Sequence, residues 1–533
     1  MINLIPMPEN LKEKKGFFTL DLENVKAFAS KEFAGLEKIL GIKTLNSEDE
    51  AVIKIKFCAE EKAEAYSLEI EEEEIEIEAS DRSGAFYALQ SLRQLILMSE
   101  IKEDKVRLSC LEIKHDSPAY GWRGLQLDES RHFFGKETVK KLLDFMALYK
   151  LNRFHWHLTD DQGWRIEIEK YPLLTEIGSK RTGSQLHHWN CMEMDMTAHE
   201  GFYSKEDIRE IVEYAKERCI EIVPEIDFPA HSAAAIASYN SLACREIPCE
   251  VFNFFGGIFP HKQGMKNWNR TLCLGKDEVL QFVFDVIDEV VELFPFGYFH
   301  VGGDEAPTYE WKGCPKCQER IKKEGLRNEV ELQGWFTNRL NEYLRKKGKT
   351  MIGWNEVLAA KNIDTDVVAQ YWTPQKDNNV NAHLDKGGRV ILSNHKYFYF
   401  DMLYTYCTVK GTYNYSPKTV RIAEKNKKGV LGVEAELWSE WIDEENELFF
   451  KLWHRGLALS ETAWCKPSQK NYGEFRKRLQ QHKKIADASG FYYGDDTFTL
   501  KPNGIKKTVL AKKNGFSIKD FDSEYRLNEI MKK

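Results

Sequence analysis

The sequence predicts an α/β chain, a (β/α)8 TIM barrel preceded by a smaller α+β domain. Three observations predict it. From about residue 118, apolar strands and amphipathic helices alternate, the pattern of a parallel sheet with crossover helices. Eight such strands fit into roughly 320 residues, a length suited to a barrel of this kind. The strands end in acidic or aromatic residues, and barrel active sites gather at those ends.

Residues 1–117 are expected to form the accessory α+β domain. Ala51–Cys58 reads as a strand. Tyr66–Ile70 and Ile75–Ala79 alternate apolar and acidic residues around a Glu-rich turn, as a half-exposed hairpin does. In Asp81–Ile96, Phe86, Leu89, Leu92 and Ile96 fall at helical spacing, which predicts a helix lying on that sheet. The barrel is expected over residues 118–465 and opens with the strand Trp122–Asp128. Phe154–Asp160, Ile220–Asp227, Tyr298–Glu305 and Met351–Glu356 follow, then Val367–Trp372, Val390–Asp401 and Val430–Glu440. Amphipathic helices are predicted at Lys136–Tyr149, Lys205–Arg218, Asp277–Leu293 and Val330–Lys346, and Ser204 with Asp207 has the form of a capping box. The later helices give weaker signals and are expected to be short or missing. Insertions at 178–203 and 240–272 break the repeat after strands and are expected to wall a cleft. Residues 466–533 read as a helical, polar extension, whose last 33 residues hold nine Lys or Arg against four Asp or Glu.

With 533 residues, 42% hydrophobic and 30% charged, the chain reads as soluble, globular and multi-domain. A net charge of −8 gives no general reason to bind nucleic acid or a membrane. No apolar run is long enough to cross a bilayer, and the first residues lack a basic start followed by an apolar core. The 11 cysteines are odd in number and scattered, as in a reducing compartment, so a cytoplasmic location is expected. Cys314-Pro315-Lys316-Cys317 is a lone CxxC. Metal or redox chemistry would need a second ligand pair or a thioredoxin-like setting, so a structural or incidental role is expected. No cofactor and no metal are expected, and the chain is read as a monomer or homodimer.

The stretch that carries the chemistry is Tyr298–Pro307, an apolar run ending in Gly302-Gly303 and then Asp304-Glu305. The glycines permit a tight turn or a close approach. On an extended segment neighbouring side chains diverge, so the two acids can address different atoms of one substrate. Like charges in one cleft push their pKa values apart, favouring one proton donor and one anion. Other strand ends carry Asp128, Asp160, Asp227, Glu356, Asp401 and Glu440, with Trp354, Trp372 and Trp438 among them. Acids and aromatic rings around one mouth suit a sugar, which has hydroxyls on its rim and C–H bonds on its faces.

These motifs also resemble a known family. His300-x-Gly302-Gly303-Asp304-Glu305 resembles the signature of glycoside hydrolase family 20, the β-N-acetylhexosaminidases. Arg123-Gly124 through Asp128 to Arg131-His132-Phe133 is similar to its first barrel strand, and Phe154-His155-Trp156-His157-Leu158-Thr159-Asp160-Asp161-Gln162-Gly163-Trp164-Arg165 to its second. Pro224-Glu225-Ile226-Asp227-x-Pro229-Ala230-His231 is similar to its third, with Ala230 where the family often has glycine. Gly353-Trp354-Asn355-Glu356, Gln370-Tyr371-Trp372, Tyr399-x-Asp401 and Leu437-Trp438-Ser439-Glu440 follow in the family's order. The opening Pro6-x-Pro8 and the helix containing Gly84–Leu95 resemble its accessory domain. The resemblance spans residues 1 to about 465.

The resemblance implies release of terminal, non-reducing β-linked N-acetylhexosamine from oligosaccharides or glycoconjugates, with retention and no enzyme nucleophile. The substrate's 2-acetamido oxygen attacks C1 and forms an oxazolinium ion. Glu305 is implied as general acid and base, and Asp304 as the group that orients the acetamide. Tyr399 is implied as a donor to the acetamido oxygen, and Asp160 with His231 as a pair that tunes Glu305. Arg131, Asp401 and Glu440 are implied to bind sugar hydroxyls, and Trp354, Trp372 and Trp438 to wall the pocket. Strict strand alternation puts Asp160 opposite His155 and His157; a break in the pleat at the strand end would resolve this. Two rival readings are a metal-dependent hydrolase built on His155-x-His157, Asp160, Asp227 and His231, and a sugar-binding protein without catalysis. The first leaves the paired acids without a role, and the second gives no reason to keep both. The natural glycan, and GlcNAc against GalNAc preference, stay open.

Overall fold

The computed structural model describes residues 2–532 except 37–38, 40–42, 45–47, 49, 60–61, 190, 256–269, 375–378, 501–508, 510–512 and 514–522. The first unit is a mixed sheet with a helix on one face. Its strand path is Leu11–Asp21, Lys105–Asp116, Tyr66–Ile70, Ile75–Ala79, Ile53–Phe57, Lys26–Ala29 and Lys43–Thr44, with Ile101–Lys102 at the side. Alternation sorts the two faces. Ile53, Ile55, Leu68, Ile70, Ile75 and Ile77 are fully buried, while Lys54 pairs with Glu74 at 2.6 Å and Lys56 with Glu76 at 2.9 Å on the outer face. The helix runs Arg82–Met98, two residues past the predicted end, and the Asp81 side chain caps it by accepting from Gly84 N.

The chain then forms a closed barrel of parallel strands. In order they are Trp122–Asp128, Arg153–His157, Glu221–Glu225, Tyr298–His300, Thr350–Trp354, Val368–Tyr371, Arg389–Leu392 and Val430–Ala435, the last pairing with the first. The register sets Asp128, His157, Glu225 and His300 side by side in one layer. Lower in the barrel, Trp122, Val223, Ile352, Val368 and Ile391 form an apolar plug. Above it lies a polar layer. His155 Nδ1 and Gln370 Nε2 lie 2.8 and 2.7 Å from Glu434, and Trp354 Nε1 donates to Glu225 at 2.8 Å.

Most strands stop earlier than the sequence predicts. Tyr298–Glu305 shrinks to Tyr298–His300, and Val390–Asp401 to Arg389–Leu392 followed by the short helix His395–Phe398. The apolar pattern continues because residues past the strand ends are buried in the barrel mouth, not because the strands continue. Helices Lys136–Leu148, Lys205–Glu217, Asp277–Leu293 and Glu329–Lys346 lie within a residue or so of their predicted bounds. Both hydrogen bonds of the Ser204/Asp207 capping box are present. The twenty-residue helix Glu445–Trp464 was not predicted. It is buried on nearly every side, so it lacks the apolar stripe that marks a surface helix. Helices Tyr472–Gln481, Lys483–Ser489 and Ser523–Lys532 follow it. No helix of the described residues is long and apolar enough to cross a membrane.

Candidate active site

After His300 the chain turns through Gly302 and Gly303, at φ +67° and +93°. A Cβ on Gly302 would lie 1.7 Å from Asp227 Oδ1, and one on Gly303 2.5 Å from Val357 Cγ1. Conformation and space both require glycine here. Gly303 N donates to Asp227 Oδ1 at 3.2 Å, and Gln333 Nε2 donates to Gly303 O at 2.7 Å. Glu305 is itself left-handed, at φ +43°. This corrects the extended segment read from the sequence. The neighbouring acids do not diverge; both carboxylates converge on His231 Nε2, each at 3.6 Å.

His231, also left-handed at φ +50°, is held from behind by Asp160, with Nδ1 3.1 Å from Oδ1. The break in the pleat is visible. The second strand stops at His157, and Thr159–Asp160 pairs antiparallel with Gly163–Trp164. Asp160 therefore returns to the side of His157, whose Nε2 lies 3.1 Å from Asp160 Oδ2. Arg131 Nη2 lies 2.7 Å from the same oxygen. Burial works to raise the Asp160 pKa, but Arg131, His231 and His157 outweigh it and hold the carboxylate well below its usual range. Burial likewise works to lower His231, but Asp160 and Asp304 outweigh it, against the opposing Arg270, and raise it well above 6.5. An imidazolium thus sits between a fixed anion and the acid pair.

The pair does split, but in the opposite order to that expected for a Glu305 acid. The hydrogen bond and charge of His231, with Arg270 and Arg131, lower Glu305 to about 2 against burial. Burial and the neighbouring Glu305 push Asp304 up to about 6, despite His231. Of the two, Asp304 is therefore the weaker acid and holds a proton up to about pH 6. The two differ in setting: the Glu305 side chain is 54% exposed and that of Asp304 16%.

The walls are aromatic and the rim is charged. Trp354 lies 5.7 Å from Trp438, and Trp372 stacks on Tyr399 at 5.8 Å with a 19° tilt. Trp372 Nε1 donates to Glu356 at 2.9 Å. Burial holds the Tyr399 pKa far above 10, so it stays a hydroxyl donor. Arg131 donates to Asp128 at 3.1 Å and to Gln162 at 3.0 Å, and its guanidinium lies 5.1 Å over the Trp438 ring. Burial and the nearby Glu440 push Asp401 up to about 8, while burial lifts Glu440 to about 7 against Arg131. Oδ1 of Asp304 and Oδ1 of Asp401 are buried without a hydrogen-bond partner among the described residues.

All eleven residues singled out from the sequence, Asp160, His231, Asp304, Glu305, Tyr399, Arg131, Trp354, Trp372, Asp401, Trp438 and Glu440, line one cavity of about 440 Å³. Sequence reading missed Trp189, Phe255 and Arg270 on the same cavity. They come from the two insertions, which have no periodicity to place them. Arg270 lies 3.6 Å from Glu305 and 3.3 Å from His231. His155 and His157, the core of the metal-hydrolase rival, are instead engaged by Glu434, Glu225 and Asp160.

The chain matches known proteins over most of its length. The family model for the catalytic domain of glycosyl hydrolase family 20 matches residues 120–467, and that for domain 2 of the same family matches residues 1–114. A β-hexosaminidase of Porphyromonas gingivalis is 34% identical over 92% of this chain, which spans only 64% of that relative's length. A β-hexosaminidase of Akkermansia muciniphila is 31% identical, covering 79% of this chain and 83% of its own. The crystal structure of an exo-β-N-acetylglucosaminidase from Vibrio harveyi, in complex with N-acetylglucosamine, matches with a TM-score of 0.81 and 29% identity. That match covers 93% of this chain and 78% of the other.

Proposed function

Since the chain belongs to glycosyl hydrolase family 20, we propose that it hydrolyses terminal, non-reducing β-linked N-acetylhexosamine, GlcNAc in the first place, from oligosaccharides or glycoconjugates. The observation that carries this is the convergence of two adjacent carboxylates on one charged histidine, inside a tryptophan-walled cavity. The buried, unpartnered Asp304 Oδ1 adds an acceptor in need of a donor.

An acetamido N–H supplies that donor. Asp304 accepts it and turns the carbonyl oxygen toward C1, while Tyr399 donates to that oxygen. The oxygen attacks C1 as the glycosidic bond breaks, and Glu305 gives its proton to the leaving oxygen. Water then attacks C1, Glu305 takes its proton, and the acetamide re-forms with net retention. Substrate binding reverses the order of the two pKa values. Covering the half-exposed Glu305 raises its pKa, and the new hydrogen bond lowers that of Asp304. Asp304 then offsets the positive charge of the oxazolinium ion. Asp160 and His231 hold Glu305 in place. Arg131 keeps donors of its fork for ring hydroxyls, and Asp401 and Glu440 accept from O4 and O6.

An aryl β-N-acetylglucosaminide should be cleaved with the β-anomer of the sugar appearing first by proton NMR. The analogue with a plain C2 hydroxyl should be nearly inert. Comparable rates on the two would overturn the substrate-assisted mechanism.

A further inference from the structure

Three separate stretches of the chain bring four cysteines together, Cys244, Cys273 and the pair Cys314 and Cys317. The Sγ atoms of Cys244 and Cys317, of Cys273 and Cys314, and of Cys273 and Cys317 are each 3.7 Å apart. All four sulfurs lie within 4.8 Å of one another. A disulfide needs sulfurs about 2.05 Å apart, so none is bonded here. A tetrahedral zinc ion with Zn–S bonds of about 2.3 Å sets its sulfurs about 3.8 Å apart, close to the 3.7 Å of three of the six pairs. A polynuclear iron–sulfur cluster spreads its thiolates over several irons, whereas these sulfurs all lie within 4.8 Å of one another. An all-thiolate tetrahedral set favours a soft ion over magnesium or calcium.

The surroundings suit thiolates. Cys314 is the N-cap of the helix Pro315–Lys323 and makes no capping hydrogen bond with its side chain, and Cys317 lies in the first turn. A helix start favours negative charge there. The Gly275 amide donates to the Cys273 sulfur. A Cβ on Gly275 would lie 2.2 Å from the Lys316 carbonyl carbon, so glycine lets the two ligand-bearing backbones touch. Cys273, Cys314 and Cys317 are buried and Cys244 half-buried.

We propose that Cys244, Cys273, Cys314 and Cys317 bind one zinc ion that pins together the loops flanking the catalytic acids. This departs from the sequence expectation of no metal, since Cys244 and Cys273 supply the second pair that the CxxC lacked. The site ties three chain segments. Residues 243 and 272 are bridged, Cys273 N donates to Leu242 O at 2.8 Å, and Trp311 Nε1 donates to Leu272 O at 2.9 Å. Arg270, three residues before Cys273, reaches Glu305 and His231. The ion would thus fix the Arg270 segment against the chain that follows Glu305, without touching substrate.

Metal analysis of the purified full chain tests this. About one zinc per chain is expected, released as a mercurial reagent consumes about four thiols together. Cobalt loading should give the absorption of a tetrahedral tetrathiolate. The double variant Cys314→Ser/Cys317→Ser should lose the zinc and melt lower, whereas Cys58→Ser and Glu305→Gln should keep it. If the double variant fails to fold, the zinc content and thiol titration of the parent chain decide the matter. A parent chain grown with zinc that carries none, that carries iron instead, or whose four cysteines map to disulfides would overturn the proposal. These readouts do not depend on glycosidase activity.

Discussion

Asp304 and Glu305 meet at one histidine, and their substitutions should separate their tasks. Glu305→Gln should slow cleavage of chitobiose by roughly 10²–10⁴-fold, and much less for an activated aryl glycoside that needs no proton. Equal losses on both substrates would remove Glu305 as the acid. Asp304→Asn should behave differently. Its carboxyl is raised from 3.8 to about 6, so ionisation destabilises the folded chain relative to the unfolded one. That penalty is absent below pH 4, grows as pH rises through 6, and reaches at most about 3 kcal/mol. Asp304→Asn should therefore raise Tm at pH 7, leave it nearly unchanged at pH 4, and lose activity even with good leaving groups. A lower Tm at pH 7 would contradict the raised pKa. At this scale the residues that line the cavity were legible, because acids and rings stand in the order of the family's motifs. Side-chain direction was not. The left-handed turns at His231 and Glu305, and the pleat break before Asp160, reverse what alternation implies.

Elements place these residues through their ends. Gly302 is the tightest point, with Asp227 Oδ1 filling the space of a side chain. Gly302→Ala should cost roughly 2–4 kcal/mol in urea unfolding, from the positive φ and the clash together. The displaced loop should lower kcat/KM by at least about 10²-fold. A variant with parental stability and rate would show that the loop relaxes freely. Helices with one apolar face, such as Lys205–Glu217, were found nearly to the residue, because the stripe and the Ser204 cap both mark them. Glu445–Trp464 escaped because burial all round erases the period. Strand ends were overextended for a related reason, since mouth residues such as Val301 are buried though they lie outside a strand. Cys244 and Cys273 carry no spacing signal at all; only the fold brings them to the CxxC.

Across the whole molecule the accessory sheet and the barrel share one hydrophobic core, running from Leu4 and Ile5 through Trp464 to the barrel helices. Polar groups cross the junction too. Arg123 on the first barrel strand is fully buried and donates to Glu64 at 3.1 and 2.9 Å and to Tyr87 at 2.8 Å. Lys150 donates to Tyr66 at 2.8 Å, and Gln94 to Leu148 O at 2.8 Å. Deleting residues 1–117 would remove these partners and uncover the apolar surface that the two units share. Residues 118–533 alone should fail to give a cooperative thermal transition by circular dichroism, while the full chain melts in one step by calorimetry. Two separate calorimetric transitions in the full chain would show that the units are independent. That two units exist was readable from the switch in pattern near residue 118; how tightly they are joined was not, because no single residue announces a partner in another unit.

The Met7 amide is closed by the Glu461 side chain, 454 residues later, and Asn3 O by His482. On a ribosome adding about 5–20 residues per second, those contacts wait some 20–90 s after the first residues emerge. Throughout that interval the segment before the first strand lacks these partners. Nascent chains stalled before residue 461 should thus be easier targets for chaperones and proteases than chains that extend past residue 482.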